Sequence, residues 1–127
     1  MAAEPIIPLD TLLELTAKAE VDGQKFDGID LFVTAPHFDI DSDASEVRRL
    51  SDHIASYGLK VGSFVAPIWD GAGGGSAMGD ADAVKRFLSQ VEKACKIGQQ
   101  MREIGTMNDM LMERLSAMLD IRLLGAT

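Results

Sequence analysis

Apolar positions recur along this chain with two different periods, and the alternation between them predicts the order of elements. After Asp10, a residue type that caps helices, Leu12, Leu13, Leu15, Ala17 and Ala19 follow at helical spacing until Asp22 and Gly23 break the pattern. A helix is expected over residues 10–21. Residues 29–35 then form a run of apolar and β-branched side chains stopped by Pro36, which predicts a strand. Asp43, Ala44, Ser45 and Glu46 have the form of a capping box, with Val47, Leu50, Ile54 and Ala55 recurring behind it at steps of three and four up to Gly58. That is a second helix with a glycine at its C-terminal end.

Residues 60–66 repeat the strand pattern and end at Pro67. A glycine-rich loop spans residues 67–80, and Asp80 stands where it can cap a third helix. Val84, Phe87, Leu88, Val91, Ala94, Cys95 and Ile97 trace the apolar face of that helix, and Gly105 is its expected stop. A further strand is due after Gly105, but Met107, Leu111, Leu115, Met118 and Leu119 trace an amphipathic helix instead. Four of the seven methionines, at 107, 110, 112 and 118, fall in this tail, and a flexible core or interface helix explains them better than a metal or cofactor site.

The order is helix, strand, helix, strand, helix, so the expected class is α/β, with residues 1–105 as βα units and 106–127 as a helical tail. Connections this long make the two strands parallel. The loops after Ala35 and Ala66 then leave the same sheet edge, which carries the ligand in parallel α/β folds. Asp22-Gly23 and Asp27-Gly28 could alternatively be hairpin turns, which would make this part antiparallel.

Three segments in this order and spacing carry a family resemblance: Leu-Leu-Glu-Leu-Thr-Ala-Lys-Ala at 12–19, Phe-Asp-Gly-Ile-Asp-Leu-Phe at 26–32 and Tyr-Gly-Leu-Lys-Val-Gly at 57–62. The chain up to about Gly105 resembles the xylose-isomerase-like barrel superfamily, which includes endonuclease IV-like proteins and sugar phosphate isomerases and epimerases. The resemblance implies a partial (β/α) barrel of parallel strands ringed by helices, and a divalent metal used to isomerise or epimerise a sugar. A closed barrel typically takes about 250 residues, and this chain has 127. Family metal ligands sit chiefly on middle and later strands, which match nothing here, so no metal ligand carries over.

Charge narrows the partners. Twelve Lys and Arg stand against twenty Asp and Glu, a net charge of −8, which disfavours nucleic acid and anionic membranes. Apolar runs fall far short of the ~20 residues of a membrane-spanning helix. The N-terminus has neither the basic nor the apolar region of a secretory signal, so a cytoplasmic location is expected. Cys95 is the sole cysteine, which excludes an intrachain disulfide, and its neighbours predict a core thiol.

The candidate substrate-binding residues are His37 and Asp39 after the first strand and Trp69 and Asp70 after the second. An imidazole near neutral pH can shuttle a proton or bind a metal, and several members of the resembled family place a substrate-contacting histidine in an early loop. A local capping role is the alternative for His37. An indole beside a carboxylate suits a sugar, whose C–H face stacks while its hydroxyls hydrogen-bond, although loop anchoring would equally use Trp69. His53, beside Asp52, is expected on a helix surface.

Asp39, Asp41 and Asp43 resemble the start of a calcium loop, but Ala44 and Leu50 stand where that motif needs glycine and glutamate; turn formation and capping account for these acids. The glycine-rich loop matches no nucleotide motif and is either a closing loop or a connector. Lys85, Arg86, Lys93, Lys96 and Arg102 are expected as a solvated face pairing with segment 20–46, which holds eight acids and one lysine. The functional expectation is a sugar or sugar phosphate isomerase-like domain, incomplete and weakly or not catalytic alone. The alternative is a non-catalytic oligomerising α/β domain. Both are compatible with a homo-oligomer.

Overall fold

The structure, a computed structural model, describes residues 6–69, 71 and 73–125. Its elements are α1 (Leu9–Lys18), β1 (Glu20–Val21), β2 (Gln24–Lys25), β3 (Gly28–Phe32), α2 (Ala44–Ser56), β4 (Lys60–Val65) and α3 (Ala81–Gly125). It is an α/β mixture with one parallel strand pair, β3–β4, and one antiparallel hairpin, β1–β2.

The first helix is shorter than its apolar spacing suggested. Pro8 occupies the N-cap, and Asp10 lies in the first turn rather than capping it. The chain leaves the helix after Lys18 because it is drawn into the hairpin, where Glu20 faces Lys25 and Val21 faces Gln24. Asp22 and Gly23 take φ of 51° and 79°, the left-handed pair that a tight two-residue hairpin turn requires. Both readings of the Asp-Gly pairs therefore have a place: the first makes a hairpin, and the second leads into a parallel strand.

β3 pairs with β4 from Gly28↔Lys60 to Phe32↔Val65, with an irregularity between Ile29 and Asp30. Lys60 N–H donates to the Asp27 carbonyl at 3.0 Å, and Val33 N–H donates to the Val65 carbonyl at 3.0 Å. Beyond Val33 the expected strand gives way to a turn, in which His37 and Phe38 N–H both donate to the Thr34 carbonyl. Ile29, Leu31 and Val33 alternate into the core while Asp30 and Phe32 face outward, the period-two pattern of a half-covered sheet. Leu13, Val47, Leu50, Ile54, Leu59, Ile97 and Met101 complete that core.

The capping box forms as its sequence implies. Asp43 Oδ1 accepts the Glu46 N–H at 2.9 Å, and Glu46 Oε2 accepts the Asp43 N–H at 2.9 Å. A hydrogen bond from the Ser45 hydroxyl, followed by the one from the Glu46 amide, holds the Asp43 carboxyl below the usual carboxylate range. At the other end Gly58 takes φ 74° just past the C-cap Tyr57, as a helix-ending glycine does.

α3 departs most from expectation. Asp80 does cap it, accepting the Ala83 N–H at 2.8 Å, but Gly105 does not stop it, and the third helix and the tail form one continuous 45-residue helix. A glycine in a helix interior costs only about 1 kcal/mol relative to alanine, which the helix-forming residues on both sides offset. The buried face is also rotated: Ala83, Gln90, Ala94, Ile97 and Met101 are buried, whereas Leu88 is 57% exposed. Cys95, expected in the core, is exposed, because it lies one residue past the buried Ala94 and turns away from the sheet. Among the described residues no helix is long and apolar enough to cross a membrane.

Candidate functional site

Where β3 and β4 end together, their following loops and the first half of α3 enclose a cleft of about 570 Å³, within the range of small-molecule sites. Thr34 and Ala35 enter it after β3, and Pro67 and Gly73 after β4. This is the carboxyl edge of the parallel pair, where the topology directs ligands. The third wall is α3, which contributes Arg86, Gln90 and Lys93 at steps of four and three, flanked by Lys85 and Ser89.

The cleft differs in charge from the rest of the molecule. Lys85, Arg86 and Lys93 face Asp39 and Asp41 across it, a local excess of one positive charge in a chain of net −8. Lys93 Nζ is held 2.7 Å from Asp41 Oδ1. Asp39 Oδ1 accepts the Asp41 N–H at 2.9 Å, so the two acids form a turn whose outer carboxylate positions the lysine. Arg86 Nε points to the Gly74 carbonyl at 3.4 Å. Gln90 is only 7% exposed, a polar side chain set into the apolar edge of the cleft.

The glycine-rich loop reaches this wall because its glycines allow close approach. A Cβ on Gly74 would lie 2.4 Å from the Ile68 carbonyl carbon, and one on Gly75 would lie 2.5 Å from the Ala83 carbonyl oxygen. The loop is thus laid against the first turn of α3, with Gly73 at the cleft.

The four expected site residues do not converge. Asp39 lines the cleft, but His37 and Trp69 do not. The His37 Nε2–H donates to the Ile7 carbonyl at 2.8 Å, anchoring the segment before α1. Trp69 meets Phe32 edge-on with ring centroids 6.4 Å apart and is 44% exposed. Asp70 lies outside the described residues. His53 is on the helix surface as expected, where it contacts Asp10 Oδ1 at 2.5 Å and the Tyr57 ring.

The residues that sequence reasoning missed are those on α3, because their charges were assigned to a solvated face. One of the anticipated ion pairs with the acidic segment, Lys93 to Asp41, is formed, and it lies inside the cleft. The available signal was positional: in a strand-then-helix unit, the first turns of the helix adjoin the carboxyl edge of its strand.

Asp39, Asp41 and Asp43 are spent on the turn, the Lys93 pair and the helix cap. No three His, Cys, Asp or Glu side chains among the described residues are grouped to hold a metal ion, so the divalent metal implied by the family resemblance is assigned no ligands. A second groove, of about 710 Å³, runs between α2, β4 and α3, with Ile54, Leu59, Val61, Phe64 and Met101 in its walls. It is the larger space but mainly apolar, and it lies away from the carboxyl edge. Set against protein-family models, curated proteins and solved structures, the chain matches none.

Proposed function

We propose that this chain is a ligand-binding α/β domain built like the opening units of a sugar isomerase barrel, and that it takes a phosphorylated sugar at the carboxyl edge of β3 and β4. The observation that carries the reading is the cationic wall of the cleft, Lys85, Arg86 and Lys93, in an otherwise acidic chain. A phosphate is matched by the charges of Lys85 and Arg86. The sugar hydroxyls are matched by Ser89, Gln90 and Asp39.

Isomerisation needs a base and an electrophile held against the substrate. Among the described residues the carboxylates lining the cleft are Asp39 and Asp41, and Asp41 is paired with Lys93. The proposed role is therefore binding, with turnover by this chain alone weak or absent.

Titration calorimetry with ribose 5-phosphate and with ribose tests this. Each charge-assisted hydrogen bond to the phosphate contributes about 1.5–3 kcal/mol, so ribose 5-phosphate is expected to bind at least about tenfold more tightly than ribose. A Lys85→Ala, Arg86→Ala double variant is expected to lose that preference. Equal affinity for the two sugars, or an unchanged preference in the double variant, refutes the assignment.

A further inference from the structure

Charge is sorted along the cleft rather than spread over it. Lys85 and Arg86 stand near the start of α3, and Lys93 stands two turns beyond Arg86, about 10 Å along the helix axis. Ser89 and Gln90 line the space between them. Asp80 and Asp82 precede the two cations on the chain but do not line the cleft, and Asp80 is turned to the Ala83 amide as the helix cap. Among the described residues no ion pair joins Lys85 or Arg86 to a carboxylate. This near end of the cleft therefore presents two positive charges.

The far end is built differently. Asp41 Oδ1 lies 2.7 Å from Lys93 Nζ, and Asp39 Oδ1 accepts the Asp41 N–H at 2.9 Å. Two carboxylates against one ammonium leave this end with a net negative charge. The Lys93 and Asp41 side chains are 43% and 66% exposed, and an ion pair so open to water contributes little to folding stability. Its main consequence is to cancel the one cation at that end.

With a phosphate held by Lys85 and Arg86, the reading on which this assignment rests, we infer that Asp41 is a specificity-determining residue of the cleft. It selects sugars phosphorylated at one end against those phosphorylated at both. Two turns of helix match the span between the terminal phosphates of a short sugar chain, so a second phosphate reaches Lys93. There it meets an ammonium already neutralised and two carboxylates. Like charges at contact repel even at the dielectric constant of water. The hydroxyls of an unphosphorylated end instead donate to the oxygens of Asp39 and Asp41.

Asp41→Asn isolates this charge. The bond from residue 41 to Asp39 is made by the main-chain N–H, which asparagine retains, and asparagine suits a turn as well as aspartate does. The substitution frees Lys93 and brings the far end from net negative to neutral. The near end lies beyond the ~8 Å screening length of physiological salt, so its hold on the first phosphate is nearly independent of residue 41.

Titration calorimetry of the full chain at about 0.15 M salt, with ribulose 5-phosphate and ribulose 1,5-bisphosphate, reads the selection. Wild type is expected to bind the bisphosphate no more tightly than the monophosphate. Asp41→Asn is expected to bind the bisphosphate at least about tenfold more tightly than wild type does, with the monophosphate within about twofold. Asp41→Ser, a smaller uncharged turn residue, is expected to give the same gain, and adding Lys93→Gln to Asp41→Asn is expected to remove it. A wild type that prefers the bisphosphate, a ratio of affinities unmoved by both Asp41 variants, loss of monophosphate binding in both, or a gain that survives Lys93→Gln overturns the role of Asp41 alone. A wild type that binds neither ligand refutes the phosphate site at Lys85 and Arg86, and the role of Asp41 with it.

Discussion

Gly28→Ala tests whether the β3–β4 pair that builds the cleft has the close approach described. A Cβ on Gly28 would lie 2.3 Å from the Lys60 carbonyl oxygen and 3.1 Å from its carbon. Carbon contacts settle near 3.5 Å or beyond, so the strands must part by about 1 Å, and the obstacle is backbone that no rotamer change can relieve. Overpacking of this kind costs about 1–3 kcal/mol. The same displacement stretches the Lys60 N–H bond to the Asp27 carbonyl, now 3.0 Å, at a further cost of about 0.5–1.5 kcal/mol.

The expected destabilisation is about 2–4 kcal/mol, or roughly 8–15 °C in melting temperature for a chain of this size. Gly62→Ala is the matched control on the facing strand. Its nearest obstacle is the Asp30 carboxylate at 3.0 Å, a side-chain end that can swing away, so its melt is expected within about 2 °C of wild type. Thermal unfolding followed by circular dichroism at one fixed concentration measures both. A Gly28→Ala protein that melts like wild type, or a Gly62→Ala protein that falls as far, refutes the geometry.

Two further outcomes follow from exposure and charge. Cys95 is exposed, so a thiol reagent such as dithionitrobenzoate is expected to label the native protein fully, within about tenfold of the unfolded rate; labelling limited by unfolding would return the thiol to the core. Asp43 has its folded carboxyl pKa lowered, first by Ser45 and then by the Glu46 amide, so its contribution is present above the ordinary aspartate range and is lost as pH falls through the folded value. Asp43→Asn keeps a capping acceptor without the titration and is expected to flatten the acid limb of melting temperature against pH; an unchanged slope assigns that limb to other groups, of which Glu14, lowered by Lys18, is the first to examine.

Local signals were legible where the residues that make a feature are neighbours in the chain. The Asp43/Glu46 box, the Asp80 cap, the Gly58 exit and the two apolar strands each depend on side chains or turns within a few residues. The cleft was half legible. Its sheet edge followed from the strand-helix order, and Asp39 lines the cleft, but His37 and Trp69 were drawn instead to Ile7 and Phe32. Sequence position does not encode which of two residues in a loop turns inward.

The amino-acid sequence by itself determined the order of the main helices and the two core strands, the parallel sense of the long crossover and the net charge that makes a cationic cleft conspicuous. Tertiary structure alone decided the rotation of α3. That rotation sets Lys85, Arg86 and Lys93 into the cleft and leaves Cys95 outside. The physical reason is that a helix with apolar residues on much of its circumference has several faces it could bury. Only contact with α2 and β4 selects which one the core receives.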